Sequence, residues 1–167
     1  MKARPPVSAA SDVKVYEVIR LPDGRFAQAE PPATLPSNEV TVLEVMGSLF
    51  FAGARTLEES LPSPVGSTRP AVVLRLRGRT SVGATLIEVL DSYADDLAEV
   101  DGRLYLSGVD ERLATQLHRA GKLDLDRAVH LVPALDVLGA STLQAIQNAS
   151  AWLGSARGDD RPATAQP

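Results

Sequence analysis

The chain is 167 residues long, carries a formal net charge of −4, and has 44% apolar residues, 23% charged residues and no cysteine. A disulfide scaffold, a thiolate metal centre and a cysteine nucleophile are excluded, and the usage fits one ordinary globular domain with tails. An acidic balance with only 4% aromatic residues argues against a nucleic-acid partner, which calls for a basic surface and stacking platforms.

Residues 1–11 (MKARPPVSAAS) and 154–167 (GSARGDDRPATAQP) are rich in small residues and proline with no hydrophobic period, and both read as disordered tails. Between them lies a single domain over residues 12–153, whose first part, 12–38, is a hairpin followed by a proline-rich lead-in. Residues 13–19 alternate with period two. Pro22-Asp23-Gly24 supplies a turn, and Arg25-Phe26-Ala27 returns the chain. Pro31, Pro32 and Pro36 make 30–38 an extended connector. Residues 39–46 (EVTVLEVM) form a strand with Leu43 and Val45 toward the core. Phe51, Ala54, Leu57 and Leu61 give the next segment, 50–60, a helical spacing. Four breakers from Pro62 to Pro70 mark a loop.

Residues 71–76 read as a strand with Val72, Leu74 and Leu76 on one face and Val73, Arg75 and Arg77 on the other. A long helix is expected over 82–100, with Leu86, Val89, Leu90, Tyr93 and Leu97 as its stripe. Residues 103–107 alternate again, Leu104 and Leu106 inward and Arg103, Tyr105 and Ser107 outward. Asp110 caps a short helix closed by Gly121. Residues 129–132 form a last strand, and Pro133 is expected to start a final helix through Leu153. That segment holds the longest uncharged run, 137–156, but its six Ser, Thr, Gln and Asn side chains from Ser141 to Ser150 rule out a membrane span. Lys2 and Arg4 lack the apolar stretch of a secretory signal behind them.

Strands and helices that alternate in this way give an α/β fold with a mixed, mainly parallel sheet. The strands are half polar, so the helices are expected mostly on one face. The other face would carry Glu44, Arg75, Arg77, Arg103 and Tyr105.

Few residues carry chemistry. His118 and His130 have no second ligand at metal spacing, and both read as surface or packed histidines. Ser107 lacks the first glycine of a nucleophile elbow. Asp91, Asp95, Asp96 and Glu99 read as a solvated helix face. The most informative place is the strand-to-helix junction at 76–85. There Arg75, Arg77 and Arg79 precede a helix start near Ser81 or Thr85, and unpaired N–H groups with a positive dipole end favour an anion. Thr85 and Glu88 have capping-box spacing. The alternative at this junction is an ordinary helix cap with the arginines paired to Glu44 and other carboxylates on the sheet face.

VTVLEVMGSLFFAGARTLEESLP, VVLRLRGRTSVGATLIEVLDSYADDL and GRLYLSGV, in that order, resemble a STAS domain. More narrowly, they resemble the C-terminal STAS domain of bacterial SulP anion transporters, and residues 11–42 resemble the lead-in that follows the membrane part. SLFFAGA (48–54) and LRGRTSVGAT (76–85) are the most specific pieces. The resemblance implies a sheet packed on helices and no enzyme activity. It implies a regulatory domain at the cytoplasmic face of the plasma membrane that controls transport, trafficking or dimerisation of a carrier for sulfate, dicarboxylates or bicarbonate. It implies no cofactor, although some such domains are thought to bind nucleotides. Its partners would be the transporter's membrane domain, a second copy, or a regulator such as acyl carrier protein.

In the related anti-sigma-factor antagonists, a loop of sequence Asp-Ser-Ser/Thr-Gly is phosphorylated on its second hydroxyl residue. Matching strand to strand puts Gly83, Ala84, Thr85 and Leu86 there, so only the Thr85 hydroxyl is kept, with Thr80 and Ser81 as substitutes. A SulP protein has a long membrane domain ahead of its STAS domain. This chain is therefore expected to be either part of such a transporter, which the lead-in favours, or a free-standing phospho-switch.

Overall fold

The computed structural model describes residues 13–155, so the expected tails lie outside it apart from Gly154 and Ser155. In chain order the elements are β1 (Lys14–Arg20), β2 (Phe26–Ala29), β3 (Val40–Met46), α1 (Phe51–Ser60), β4 (Ala71–Arg75), α2 (Ala84–Glu99), β5 (Arg103–Val109), α3 (Glu111–Ala120), β6 (Val129–Pro133) and α4 (Ala140–Ser155). The six strands form one sheet in the order β2-β1-β3-β4-β5-β6.

Local chemistry sets the ends of the sheet. Gly24 takes φ 85°, and the Asp23 carboxylate accepts from the Arg25 backbone N–H at 3.0 Å, closing the β1–β2 turn. β1 then pairs antiparallel with β3. From β3 onward every neighbour is parallel, with Leu43 beside Leu74 and Leu74 beside Leu106.

The three crossovers through α1, α2 and α3 all step in the same direction across the sheet. Because such connections are right-handed, all three helices must fall on one face. They do: Ala54, Leu57, Leu86, Leu90, Leu97, Leu113 and Leu117 share one buried cluster with Val72, Leu74, Leu76, Leu104 and Leu106. Tyr93 of α2 is buried too. Its hydroxyl donates to the Pro62 carbonyl at 2.8 Å, which ties down the 61–70 loop, and burial raises the phenol's pKa. α3 has the expected ends: the Asp110 carboxylate accepts from the Leu113 N–H at 2.7 Å, and Gly121 is left-handed at φ 61°.

Three sequence expectations need correction. First, the last helix begins at Ala140, not Pro133. Pro133 ends β6, and residues 134–139 form a loop in which the Leu135 N–H is held by Ser141 Oγ at 3.0 Å. Second, α2 begins at Ala84 rather than Val82. Its N-cap is Gly83, with no side-chain cap, so Thr85 lies in the first turn and makes no capping box with Glu88. Third, the half-polar face is not open to solvent. α4 lies across it and buries Val42, Ala71, Val73, Tyr105 and Val132 against Ala145 and Ala149. Ser107, expected outward, is buried as well.

Candidate functional site

The carboxyl ends of β3, β4 and β5 meet in a rim of loops. In many open α/β sheets ligands bind where the strand order reverses and two loops diverge. The parallel strands here run in unbroken order from β3 to β6 and offer no such crevice. What the rim has instead is a set of hydrogen bonds that hold the β4–α2 loop, residues 76–83, against its neighbours.

Arg79 is the central piece. Its Nη2 donates to the carbonyls of Val45 and Gly47, each at 3.0 Å, and so fastens this loop to the β3–α1 loop. Partial burial lowers its pKa. Gln116 of α3 supplies a second tie: the Val82 N–H donates to its Oε1 at 3.1 Å, and its Nε2 donates to the Val82 carbonyl at 2.6 Å. Arg77 reaches across to the 134–139 loop, donating to the Leu135 carbonyl at 2.9 Å. Close contact with β5 completes the packing. Gly108 has φ 74°, and a Cβ there would lie 2.9 Å from the Arg77 Cβ, so this position accepts only glycine without a backbone shift.

Arg75 does not join Arg79. Its Nη1 pairs with Glu44 Oε1 at 2.8 Å on the α4 face, and Gln28 Nε2 donates to Glu44 Oε2 at 3.2 Å. This is the sheet-face pairing named above as the alternative reading. Arg103 is farther off still, at the start of β5. Its guanidinium lies 4.6 Å from the Trp152 ring centroid, and that of Arg69 lies 4.8 Å from it. The four arginines singled out from the sequence thus occupy different places rather than one cradle. Thr80 and Ser81 are exposed on the loop, and Thr85 is half-buried in the first turn of α2, which holds no acidic side chain.

Sequence reasoning missed two features of this rim. Gln116 gave no motif signal, because its role depends on α3 packing beside the loop. Met46 and Phe50 were read as part of a strand and a helix, but they flank the rim as exposed apolar side chains, 50% and 61% accessible. Phe50 also lies beside Gly83 at the start of α2. A separate apolar groove of about 370 Å³ runs between α4 and the hairpin, walled by Phe26, Leu138, Leu143 and Ile146. Among the described residues no group of His, Asp and Glu side chains is placed to hold a metal. No helix there is long and apolar enough to cross a membrane.

His118 is exposed, with Nδ1 2.7 Å from the Ala114 carbonyl. His130 is half-buried, its ring stacked on Tyr105 with centroids 5.0 Å apart. Burial, and next the charge of Arg103, lower its pKa. The unfolded chain therefore binds that proton more readily than the folded one. The contribution is complete above the ordinary histidine pKa and is lost as pH falls through it. The urea midpoint is expected to fall between about pH 7 and pH 5, with a shallower fall in His130→Phe. Identical profiles for the two proteins would contradict this.

The STAS domain family matches residues 32–136, more than half of the chain. This chain belongs to that family. Among curated proteins no sequence relative is found. Several solved structures share the fold, two of which show its range. Murine Solute Carrier 26 family member A9, an anion transporter in its inward-facing state, superposes with a TM-score of 0.58 at 13% identity. The match covers 82% of this chain and 22% of the transporter, so this STAS domain spans under a quarter of that protein's length. A sulfate transporter family protein from Wolinella succinogenes gives 0.52 at 22% identity, over 73% of this chain and 92% of the other. At these identities the likeness carries the fold alone. It agrees with the STAS fold expected from the sequence: six strands, with three of the four helices on one face.

Proposed function

We propose that this STAS domain is the cytoplasmic regulatory and interaction domain of a SulP-type transporter for sulfate or another anion. On this reading it acts by docking, at the inner face of the plasma membrane, and performs no catalytic step. The observation that carries it is the rim itself. Arg79 and Gln116 hold the β3–α1 and β4–α2 loops in one arrangement, and Met46 and Phe50 stand exposed beside it, as an interaction surface requires. The likeness to the two transporter structures supports the same reading. The partners it implies are the transporter's own membrane domain, a second copy of the chain, or a regulator such as acyl carrier protein. The fixed hydrogen bonds of Arg75, Arg77 and Arg79 favour docking over anion or nucleotide binding, because each guanidinium already has an acceptor.

An antibody to this domain, used on fractionated cells of the source organism, tests the proposal. The expected result is a membrane-bound band several times heavier than 17.7 kDa. A soluble band near 17.7 kDa overturns it and favours the second reading, a free-standing phospho-switch. One observation suits that reading. Thr85 sits at the positive end of α2 with no carboxylate in the first turn, so a phosphate there is favoured by the helix end, with Glu88 one turn on as the nearest like charge in its own helix sequence. The exposed hydroxyls of Thr80 and Ser81 are the other candidates.

A further inference from the structure

The sheet has two edges, and they are finished differently. At β6 the Val129 N–H already donates to the Asp124 carbonyl at 2.9 Å, and Pro133 has no N–H to offer. At β2, the outer strand of the hairpin, neither device is present.

The hydrogen bonding of the hairpin says which groups of β2 are open. The Leu21 N–H donates to the Arg25 carbonyl at 2.7 Å. Opposed residues in an antiparallel pair alternate between bonded and non-bonded. Ile19–Ala27 and Glu17–Ala29 are therefore the bonded pairs farther along, and Arg20–Phe26 and Val18–Gln28 are not. The N–H and C=O groups of Phe26 and Gln28 point away from β1. No backbone hydrogen bond from a loop of the described residues reaches them. Both residues are exposed, and Phe26, which stands on the α4 face, is 54% accessible. An open row of this kind is a template for another strand.

The row matches itself. Two copies of β2 laid antiparallel about a two-fold axis at Ala27 put Phe26 of each opposite Gln28 of the other. Each such pair exchanges two N–H···O bonds, so four bonds satisfy every open group of the two strands. The two Phe26 side chains become diagonal neighbours on the α4 face, within reach of one another. Arg25 falls opposite Ala29 of the second copy and next to its Glu30, so opposite charges meet at both ends. Pro31 and Pro32 follow at once and end the ladder.

We propose that β2 is a homodimerisation edge, at which two copies of this chain join their sheets into one. The surface is separate from the loop rim, and the inference does not rest on the transporter reading. A four-residue strand makes a small contact, and interfaces below about 1,200 Å² are transient. The expected Kd lies between about 10 μM and 1 mM.

The chain has no cysteine, so an introduced thiol reports without background. Ala27→Cys places two thiols face to face in a non-bonded pair with Cα atoms about 4.5 Å apart, inside the disulfide range of about 4.4–6.8 Å. Gln28→Cys, at the more exposed position, places them diagonally at about 7–8 Å, outside it. In a glutathione redox buffer the Ala27→Cys chain is expected to form the disulfide dimer, and the Gln28→Cys chain at least about tenfold less of it, because the bond would be strained. Random collision favours the opposite order. Sedimentation equilibrium of the wild type from about 10 μM to 1 mM should show the mass rising from 17.7 kDa toward twice that value, while Phe26→Lys stays monomeric. Circular dichroism confirms that the variants are folded, and the two cysteine variants decide the matter if Phe26→Lys is not. A wild type that is still monomeric at about 1 mM overturns the proposal. So does equal or reversed cross-linking of the two cysteine variants, or a folded Phe26→Lys that dimerises as readily as the wild type.

Discussion

Gly53→Ala is expected to destabilise the protein by about 3 kcal/mol or more, a loss found only when a substitution forces backbone or core apart. Helix propensity alone predicts the opposite sign, since alanine is better than glycine inside a helix by about 1 kcal/mol. The structure decides between them. A Cβ built on Gly53 would lie 1.7 Å from the Ser48 carbonyl oxygen, 2.8 Å from the Ser48 carbonyl carbon and 2.9 Å from Val13 Cγ2. Two of these three contacts are backbone, so no side-chain rotation relieves them. The turn that leads into α1 would have to move, and with it the carbonyl of Gly47 that receives Arg79. Urea denaturation of the variant beside the wild type measures the effect. A change within about 0.5 kcal/mol, the usual range for surface substitutions, would show that the turn yields easily.

Leu106→Ala should cost a similar amount, about 3 kcal/mol, by a different route. Leu106 is fully buried in β5, with Leu74 beside it on β4 and Leu131 on β6, and it packs in the cluster under α2 and α3. Truncation removes the transfer free energy of the lost carbons and leaves a void that a sheet paired on both sides closes poorly. Calorimetry should show a lower melting temperature with the transition still cooperative. A loss under about 1 kcal/mol would mean that the neighbouring leucines collapse into the space.

Much of this fold was legible because its signals are local. Period-two alternation in 13–19 and 103–107, the Pro22-Asp23-Gly24 turn, and the Asp110 and Gly121 ends of α3 each act within a few residues, and each appears where expected. α4 was misread for a physical reason. Its fully buried positions are small, Ser141, Ala145 and Ala149, while Ile146, Trp152 and Leu153 pack only in part and Leu143 is exposed, so no strong apolar stripe marks the side that faces the sheet. No crossover dictates its side of the sheet either, because it follows the last strand. The cover over the polar face therefore became visible only in three dimensions.

At the candidate rim, the Arg75–Glu44 pair could be anticipated from alternation along two strands. The Arg79 and Gln116 ties could not. Their partners are main-chain atoms, which no side-chain pattern marks, and the loops that present them are placed by the whole sheet.

The contact between Val13 and the start of α1 gives the domain a mechanical property. Residues 1–12 join the described part of the chain at Val13, whose side chain abuts Gly53. The Gly53 N–H is held by the Phe50 carbonyl at 2.7 Å, and the turn before it is fastened to Arg79. Tension along the incoming chain would therefore load the first strand and the rim together, because Lys14 pairs with Met46 while Val13 abuts the turn that Arg79 fastens.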